Sequence, residues 1–259
     1  MSLDDDTIAC ARIVEKGDPD RFAAAMAAPV AARAVLFPIY AFNVEVARAP
    51  WVTEESLIAE MRLQWWADAL DEIITGGPVR RHEVVTPLAR VVDAATAGVL
   101  KQNIDARRRD ARREPIASLS DLRAYLDDTG GVLMWAATRA LDGSAEGTEG
   151  EPRAREIGGA LALANYLLAV PAFLKRGINP LPEMTEDAFA ALLKSALVDV
   201  ARAGSAGSSR ALRIAALSAW RAPRILRRAL RDPAAVPEGR LNESEILRRA
   251  SLLWAAARV

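Results

Sequence analysis

Residues 157–174 form an eighteen-residue run without one charged side chain. That length is at the lower limit for a bilayer span, so the run belongs either in lipid or inside a helical bundle. It carries Gly158, Gly159, Asn165 and Pro171, and no other stretch of the chain approaches it. Elsewhere the dominant period is helical, rich in alanine, leucine and arginine and almost without β-branched alternation. The run is therefore predicted to be a helix buried on all sides in a soluble protein.

Glycine and proline clusters at 76–78, 142–152, 177–182, 204–209 and 232–239 divide the remainder into helices. The start signals agree with these divisions. Thr53 precedes Glu54, Glu55 and an amphipathic run to Ile74. Ser118 and Asp121 open a helix reaching Leu141, and Asn242 with Glu245 has capping-box spacing before the last helix. These signals predict eight or nine helices in one all-α bundle, a single domain over 1–259.

With 51% hydrophobic and 26% charged residues, the chain can bury a large core. Its 34 basic and 34 acidic residues balance, so it lacks the basic excess of a protein held by phosphates, and nucleic acid is not an expected partner. One cysteine, Cys10, excludes an internal disulfide framework and points to a reducing compartment. One histidine, His82, excludes a site needing two imidazoles and argues against structural zinc. The acidic opening stretch has no basic flank before an apolar segment, so it does not read as a secretory signal, and a cytoplasmic location is expected.

Most catalytic signatures are absent. There is no glycine-rich phosphate loop of either common type, and the glycine spacing at 204–207 is wrong for a nucleophile elbow. A Ser-His-Asp triad would have to use His82, which beside a Gly-Gly-Pro turn reads as a solvated or capping residue. Magnesium takes oxygen ligands, so the acid pairs four apart are its candidate sites: Asp68/Glu72, Asp110/Glu114, Asp142/Glu146 and Glu183/Asp187. Only Asp68/Glu72, with Asp71 between, lies on a confident helix, opposite an apolar face of Leu63, Trp66, Leu70 and Ile73. A solvated acidic face is preferred there. Asp110 sits in the basic run 107–114, where internal salt bridging is preferred.

Arginine supplies 30 of the 34 basic residues, and the segment 202–231 carries eight arginines and no acid. Leu212, Leu217, Trp220, Ile225, Leu226 and Leu230 interleave with them. This opens two readings: a core-packed segment with a solvated arginine face, or a peripheral contact with anionic lipid, which would put the protein at the inner membrane.

Two stretches resemble the squalene/phytoene synthase superfamily. AARAVLFPIYAFNVE at 31–45 is similar to the opening helix in which Tyr-Ala-Phe precedes an aspartate-rich motif. GGALALANYLLAVPAFLKRGINPLP at 158–182 is similar to the small-residue helix that carries the second such motif and ends in Leu-Pro. MRLQWW at 61–66, the Gly-Gly-Pro turn before His82 and WRAPRIL near the end follow in the expected order. The resemblance implies an all-α, isoprenoid-synthase-like helical bundle with a central cavity. In active members, two opposed aspartate motifs hold magnesium ions that grip prenyl diphosphates.

This chain departs from that pattern where the acids belong. Ala47, Arg48 and Trp51 stand at the first motif and Ala169, Ala172 and Phe173 at the second, with Glu45 the one acid nearby. AFNVEVA at 41–47 and MRLQWW resemble more closely a branch that contains a mitochondrial complex I assembly factor and lacks the full motifs. The resemblance thus implies no catalytic residue, no metal ligand and no cofactor, with a protein partner in assembly or maintenance of a respiratory membrane complex. Alternatives stay open: a magnesium-dependent head-to-head prenyltransferase with a displaced site using Glu45 with Asp68 or Asp71, or a module binding an isoprenoid or lipid in the cavity. Tyr40, Phe42, Asn43, Glu45, Gln64, Asn165 and Tyr166 are the candidate binding residues. Phe42, Asn43, Leu163 and Tyr166 are expected on the pocket wall. Asn43, Glu45, Gln64 and Asn165 are expected to form one buried polar cluster.

Overall fold

Short polar side chains start many of the helices. Asp4, Asp18, Asp93, Ser118, Thr185 and Ser209 each accept a hydrogen bond from a backbone N–H in the first turn, relieving donors that have no partner within the helix. A computed structural model describes residues 4–143, 150–205 and 207–257. Thirteen α-helices follow in chain order: α1 Asp5–Gly17, α2 Pro19–Ala27, α3 Val30–Arg48, α4 Ser56–Thr75 and α5 Val85–Val91. Next come α6 Ala94–Arg112, α7 Leu119–Leu126, α8 Val132–Asp142 and α9 Glu151–Lys175. The last four are α10 Glu186–Ala201, α11 Arg210–Ala216, α12 Ala222–Arg231 and α13 Glu245–Ala256. Among the described residues there is no strand.

The all-α class agrees with the sequence pattern, but the helix number exceeds the expected eight or nine. Short helices such as α2, α5 and α11 occupy what reads as loops or parts of longer helices. The helix predicted over 118–141 is divided by a π-turn at Asp127–Gly131, which joins α7 to α8. Two start signals also shift. Thr53 accepts from the Glu55 N–H at 3.2 Å ahead of α4, and Ser244, not Asn242, precedes α13.

The core gathers Phe37, Ile39 and Phe42 of α3, Leu63 and Leu70 of α4, Leu100 and Ile104 of α6, Leu133 of α8 and Ile157 of α9, all fully buried. Val30–Trp51 and Glu151–Lys175 are long and apolar enough to cross a membrane, yet 56% and 44% of their apolar windows are buried inside the bundle. The uncharged run is thus a central element, but it is not buried on all sides: Asn165 and Leu174 are exposed. The π-turn approaches α9 at Gly130 and Gly158. A Cβ added to either glycine would fall inside the van der Waals envelope of the other's carbonyl oxygen.

The arginine-rich segment 202–231 does not keep its apolar side for lipid. Leu212, Leu217, Trp220, Ile225 and Leu226 are buried in the core. Several of its arginines are engaged: Arg202 with Glu156 at 2.5 Å, Arg221 with Asp20, and Arg224 with Glu243 at 3.4 Å. The apolar residues of that segment are therefore core, closing the bundle against α8, α9 and α10, and only its arginine side faces outward.

Candidate functional site: the central cavity

α3 and α9 flank a cavity of about 530 Å³, with the α1–α2 junction, α6 and the α7–π-turn segment completing its wall. From α3 and the turn after it come Asn43, Ala47, Arg48 and Trp51; from α9 come Asn165, Tyr166, Ala169 and Phe173. These share a wall because residues three or four apart on a helix face the same way. Tyr166 donates to the Pro180 carbonyl at 2.6 Å, which fixes its ring. Four aromatics run along the wall, with centroids 5.5 Å apart from Trp51 to Phe173, 5.8 Å from Phe173 to Tyr166 and 5.9 Å from Tyr166 to Tyr125. Arg113 and Arg176 stack on Trp51 at 4.6 and 5.2 Å, a cation–π arrangement that fixes the indole at one end of this row.

The structure divides the residues singled out in the sequence. Asn43, Asn165 and Tyr166 reach the cavity. Tyr40 is buried beneath the Arg21 guanidinium at 5.7 Å, and Phe42 packs edge-on against Trp66 at 5.5 Å, so both serve the core. Leu163 is buried and turns to the far side of α9. Glu45 lies in a separate recess of about 250 Å³ with Arg62, Trp65 and His82, paired to Arg48 at 3.4 Å. Gln64 lies on the outer face of α4, donating to Asp68 at 2.7 Å and accepting from Arg108 at 2.8 Å. The expected polar cluster of Asn43, Glu45, Gln64 and Asn165 therefore does not form. Asn43 and Glu45 are two residues apart, about 200° around the helix, and cannot share a face.

The internal salt bridging expected for Asp110 forms on this wall, half-buried and joined to the buried Tyr125, an inward placement that the basic run did not suggest. Arg107 Nη1 donates to Asp110 Oδ2 at 3.0 Å and to the Tyr125 hydroxyl at 2.7 Å. Tyr125 in turn donates to the same Asp110 oxygen at 2.8 Å. Burial, with Asp110 alongside, pushes the Tyr125 phenol well above its ordinary range, so it remains a neutral donor. Burial alone would lower the Arg107 pKa, but Tyr125 and Asp110 outweigh it and hold the guanidinium charged. Tyr166 is likewise pushed up, by burial first and Asp110 second. The signal was available: Leu100, Asn103, Ile104, Arg107, Asp110 and Ala111 fall on one helical stripe, so those two charges face inward.

The two carboxylates on the cavity wall are both engaged, Asp110 as described and Asp18 by Arg21. On α4, Asp71 pairs with Lys101 at 2.6 Å and Glu72 with Arg80 at 2.7 Å, while Asp68 is exposed and accepts from Gln64. Glu114 lies 3.7 Å from Arg112, and Glu146 of the pair Asp142/Glu146 lies outside the described residues. His82 Nδ1 accepts from the Val84 N–H at 3.1 Å, a local capping role. Cys10 is buried and free, its thiol pushed up to about 12 by burial and then by Asp6 and Glu83.

A family model described as squalene/phytoene synthase matches residues 14–247. The chain belongs to that family. Among solved structures, a dehydrosqualene synthase in complex with ligand aligns over 97% of this chain and 95% of its own, with TM-score 0.79 and 16% identity. A squalene synthase from Alicyclobacillus acidocaldarius aligns over 97% and 90%, with TM-score 0.58 and 18% identity. At these identities the likeness shows a shared fold, the isoprenoid-synthase-like helical bundle expected from the sequence. Curated relatives are NADH dehydrogenase (ubiquinone) complex I, assembly factor 6 of Bos taurus, 24% identical over 174 residues, and its Drosophila melanogaster homolog, 28% identical over 169 residues. Each alignment covers 62% of this chain, and 48% and 50% of the relative, so the chain spans about half the length of the curated relatives it matches.

For this squalene/phytoene synthase family member, the magnesium–diphosphate group of active enzymes can be tested against the residues present. Ala47, Arg48 and Trp51 face the cavity from one side and Ala169 and Phe173 from the other, while Ala172 is exposed. Among the described residues no group of three or more His, Cys, Asp or Glu side chains is placed to hold a metal ion. Alanine, indole, phenyl and guanidinium offer a hard cation no oxygen, and the two carboxylates elsewhere on the wall, Asp18 and Asp110, are held by arginines, so the wall lacks the opposed acid clusters that the group needs.

Proposed function

We propose that this chain acts in assembly or maintenance of a respiratory membrane complex of the complex I kind, with a protein as its partner, and that it does not couple prenyl diphosphates. The single observation that carries this reading is the composition of the cavity wall: uncharged or cationic side chains stand where α3 and α9 face the cavity, and the nearby carboxylates are tied to arginines. The names of the curated relatives support the assembly role. Energetics support the loss of catalysis. Several acids converging on an apolar cavity repel one another and are poorly solvated without a metal, and replacing them removes that penalty. Incubation with farnesyl and geranylgeranyl diphosphate and magnesium is expected to release no diphosphate above background. Steady release would defeat the proposal and favour the prenyltransferase reading. Loss of the protein in its own cell is expected to lower assembled complex I and leave carotenoid or hopanoid levels unchanged.

A second reading rests on the row Trp51, Phe173, Tyr166 and Tyr125, which gives the cavity an apolar wall wide enough for an isoprenoid or acyl chain. It is compatible with the first, since a bound chain needs no catalysis. Organic extraction of the purified protein followed by mass spectrometry tests it, and a protein free of stoichiometric lipid would count against it.

A further inference from the structure

α13 is attached to the bundle by the wrong side for an ordinary amphipathic helix. No residue of α13 is fully buried. It docks through Arg248, whose guanidinium bonds Asp20 at 2.6 Å, and through half-buried Leu252 and Ala255. At 100° per residue, Ile246, Leu247, Ala250, Leu253 and Trp254 fall together on another side of the helix. The four large ones are 81%, 49%, 73% and 61% exposed in that order. A continuous apolar stripe is thus turned outward, the kind of patch that marks an interaction surface.

The charge beside this stripe says what covers it. Arg224, Arg227, Arg228 and Arg231 share one face of α12, a helix without an acid. Arg228 donates to the Asn242 carbonyl at 3.0 Å and Arg224 pairs with Glu243, so this face adjoins the segment leading into α13. Arg227 and Arg231 are exposed and have no carboxylate partner among the described residues. Arg249, on α13 itself, is paired with Glu245 at 3.0 Å, so the uncompensated charge beside the stripe is that of Arg227 and Arg231. A second copy of this chain is a poor occupant, because a two-fold contact would bring the same arginine faces together.

We propose that α13, with the arginine face of α12, seats this protein on an anionic bilayer surface. The apolar stripe enters the boundary between headgroups and acyl chains, Trp254 sits at headgroup level, and the arginines meet lipid phosphates. The surface lies outside the central cavity and works whether or not the cavity binds a ligand.

Flotation of the whole protein with vesicles tests the proposal. Vesicles of phosphatidylcholine with phosphatidylglycerol are expected to carry the protein upward, in a salt-sensitive manner, and phosphatidylcholine alone to leave it behind. The double variant Ile246→Glu, Leu253→Glu is expected to weaken partitioning at least about tenfold. Arg227→Ala and Arg231→Ala are each expected to weaken it roughly fivefold. Because these side chains are exposed, circular dichroism and the unfolding midpoint are expected to stay unchanged, which separates lost binding from lost folding. Absence of flotation on anionic vesicles, equal binding to both vesicle types, or binding indifferent to the α13 variants would overturn the proposal. So would a dimer in solution that the α13 double variant dissociates, which would assign the stripe to a second copy.

Discussion

Two recesses of nearly the same size sit back to back across the π-turn and α9. The central cavity has about 530 Å³, and a groove lined by α7, α9 and α10 has about 540 Å³, with Leu126 on the wall of both. The cavity is walled by aromatics with its ions held tightly inside. The groove carries Asp127, Glu151, Arg155, Glu156 and Asp199 on its wall. The ion pairs look alike on paper. In the cavity, however, the Arg107 and Asp110 side chains are 19% and 15% exposed, whereas Asp127, paired with Arg155 in the groove, is 43% exposed. The comparison teaches that the energetic weight of a charge here follows the access of water to it. Glu243, Asp110 and Glu60, among the acids least open to water in the described residues, are each answered by an arginine.

The largest expected effect comes from breaking the buried pair. Asp110→Ala leaves Arg107 and the Tyr125 hydroxyl without their shared acceptor, and stability is expected to fall by about 3 kcal/mol, the lower end for a buried pair because some water still reaches it. Tyr125→Phe removes one bridging hydroxyl and is expected to lower it by about 1 kcal/mol. In the groove, Asp127→Asn is expected to change stability by no more than about 0.5 kcal/mol, since Arg155 retains Glu151 at 3.3 Å and Asp128 at 3.6 Å. Urea unfolding midpoints read all three. Equal losses at Asp110 and Asp127 would mean that solvent access does not set the ranking.

The wall between the recesses gives the next effect. Gly158→Ala forces a methyl group into the Gly130 carbonyl and the Met134 side chain, and overpacking of this kind costs about 2 kcal/mol. Its neighbour Gly159 lines the groove with nothing within 4 Å of an added Cβ. Gly159→Ala is therefore expected to stabilise by up to about 1 kcal/mol through helix propensity alone. Opposite signs from adjacent glycines in one helix, read in the same unfolding assay, would show that α9 has one face fixed by close approach and one that is free.

How much of this was legible beforehand follows from the same geometry. The class, the bundle and the pairing of α3 with α9 around a cavity could be read from helical period and from the two similar stretches, because both signals are local. Of the four residues expected on the wall, Asn43 and Tyr166 line it and Phe42 and Leu163 do not; Asn165 lines it too, but from an exposed position and not in a buried cluster. Glu45 does not, because two residues from Asn43 is about 200° around α3, and Gln64 does not, because it lies on the outer face of α4. The salt bridging of Asp110 was legible in its basic run, but its inward placement was not: within eight residues holding seven charges, an inward-facing pair looks like the rest of a solvated face. The outward stripe of α13 was hidden for the opposite reason. A period of apolar residues says that a helix has two sides, and only tertiary contacts say which side meets the bundle.

The smallest effect separates the acids by the sign of their pH dependence. Asp199, on the groove wall, has its carboxyl raised above the ordinary range by burial, with Glu156 adding to the shift. Its folded state therefore binds a proton more tightly than the unfolded chain, so the charged form opposes folding above the raised pKa, and the opposition vanishes below the unfolded value of about 3.8. Asp121 is the converse. The Arg109 guanidinium at 2.5 Å and the Ala117 N–H hold it below the ordinary range, so its contribution is present above the unfolded pKa and is lost as pH falls through the folded one. Asp199→Asn is thus expected to stabilise slightly at pH 7, with the gain disappearing by about pH 3.5. Asp121→Asn is expected to destabilise at pH 7, with the gap closing over the acid range. Unfolding midpoints for both variants across that range decide the matter, and two curves converging from the same side would refute the assignment of opposite shifts.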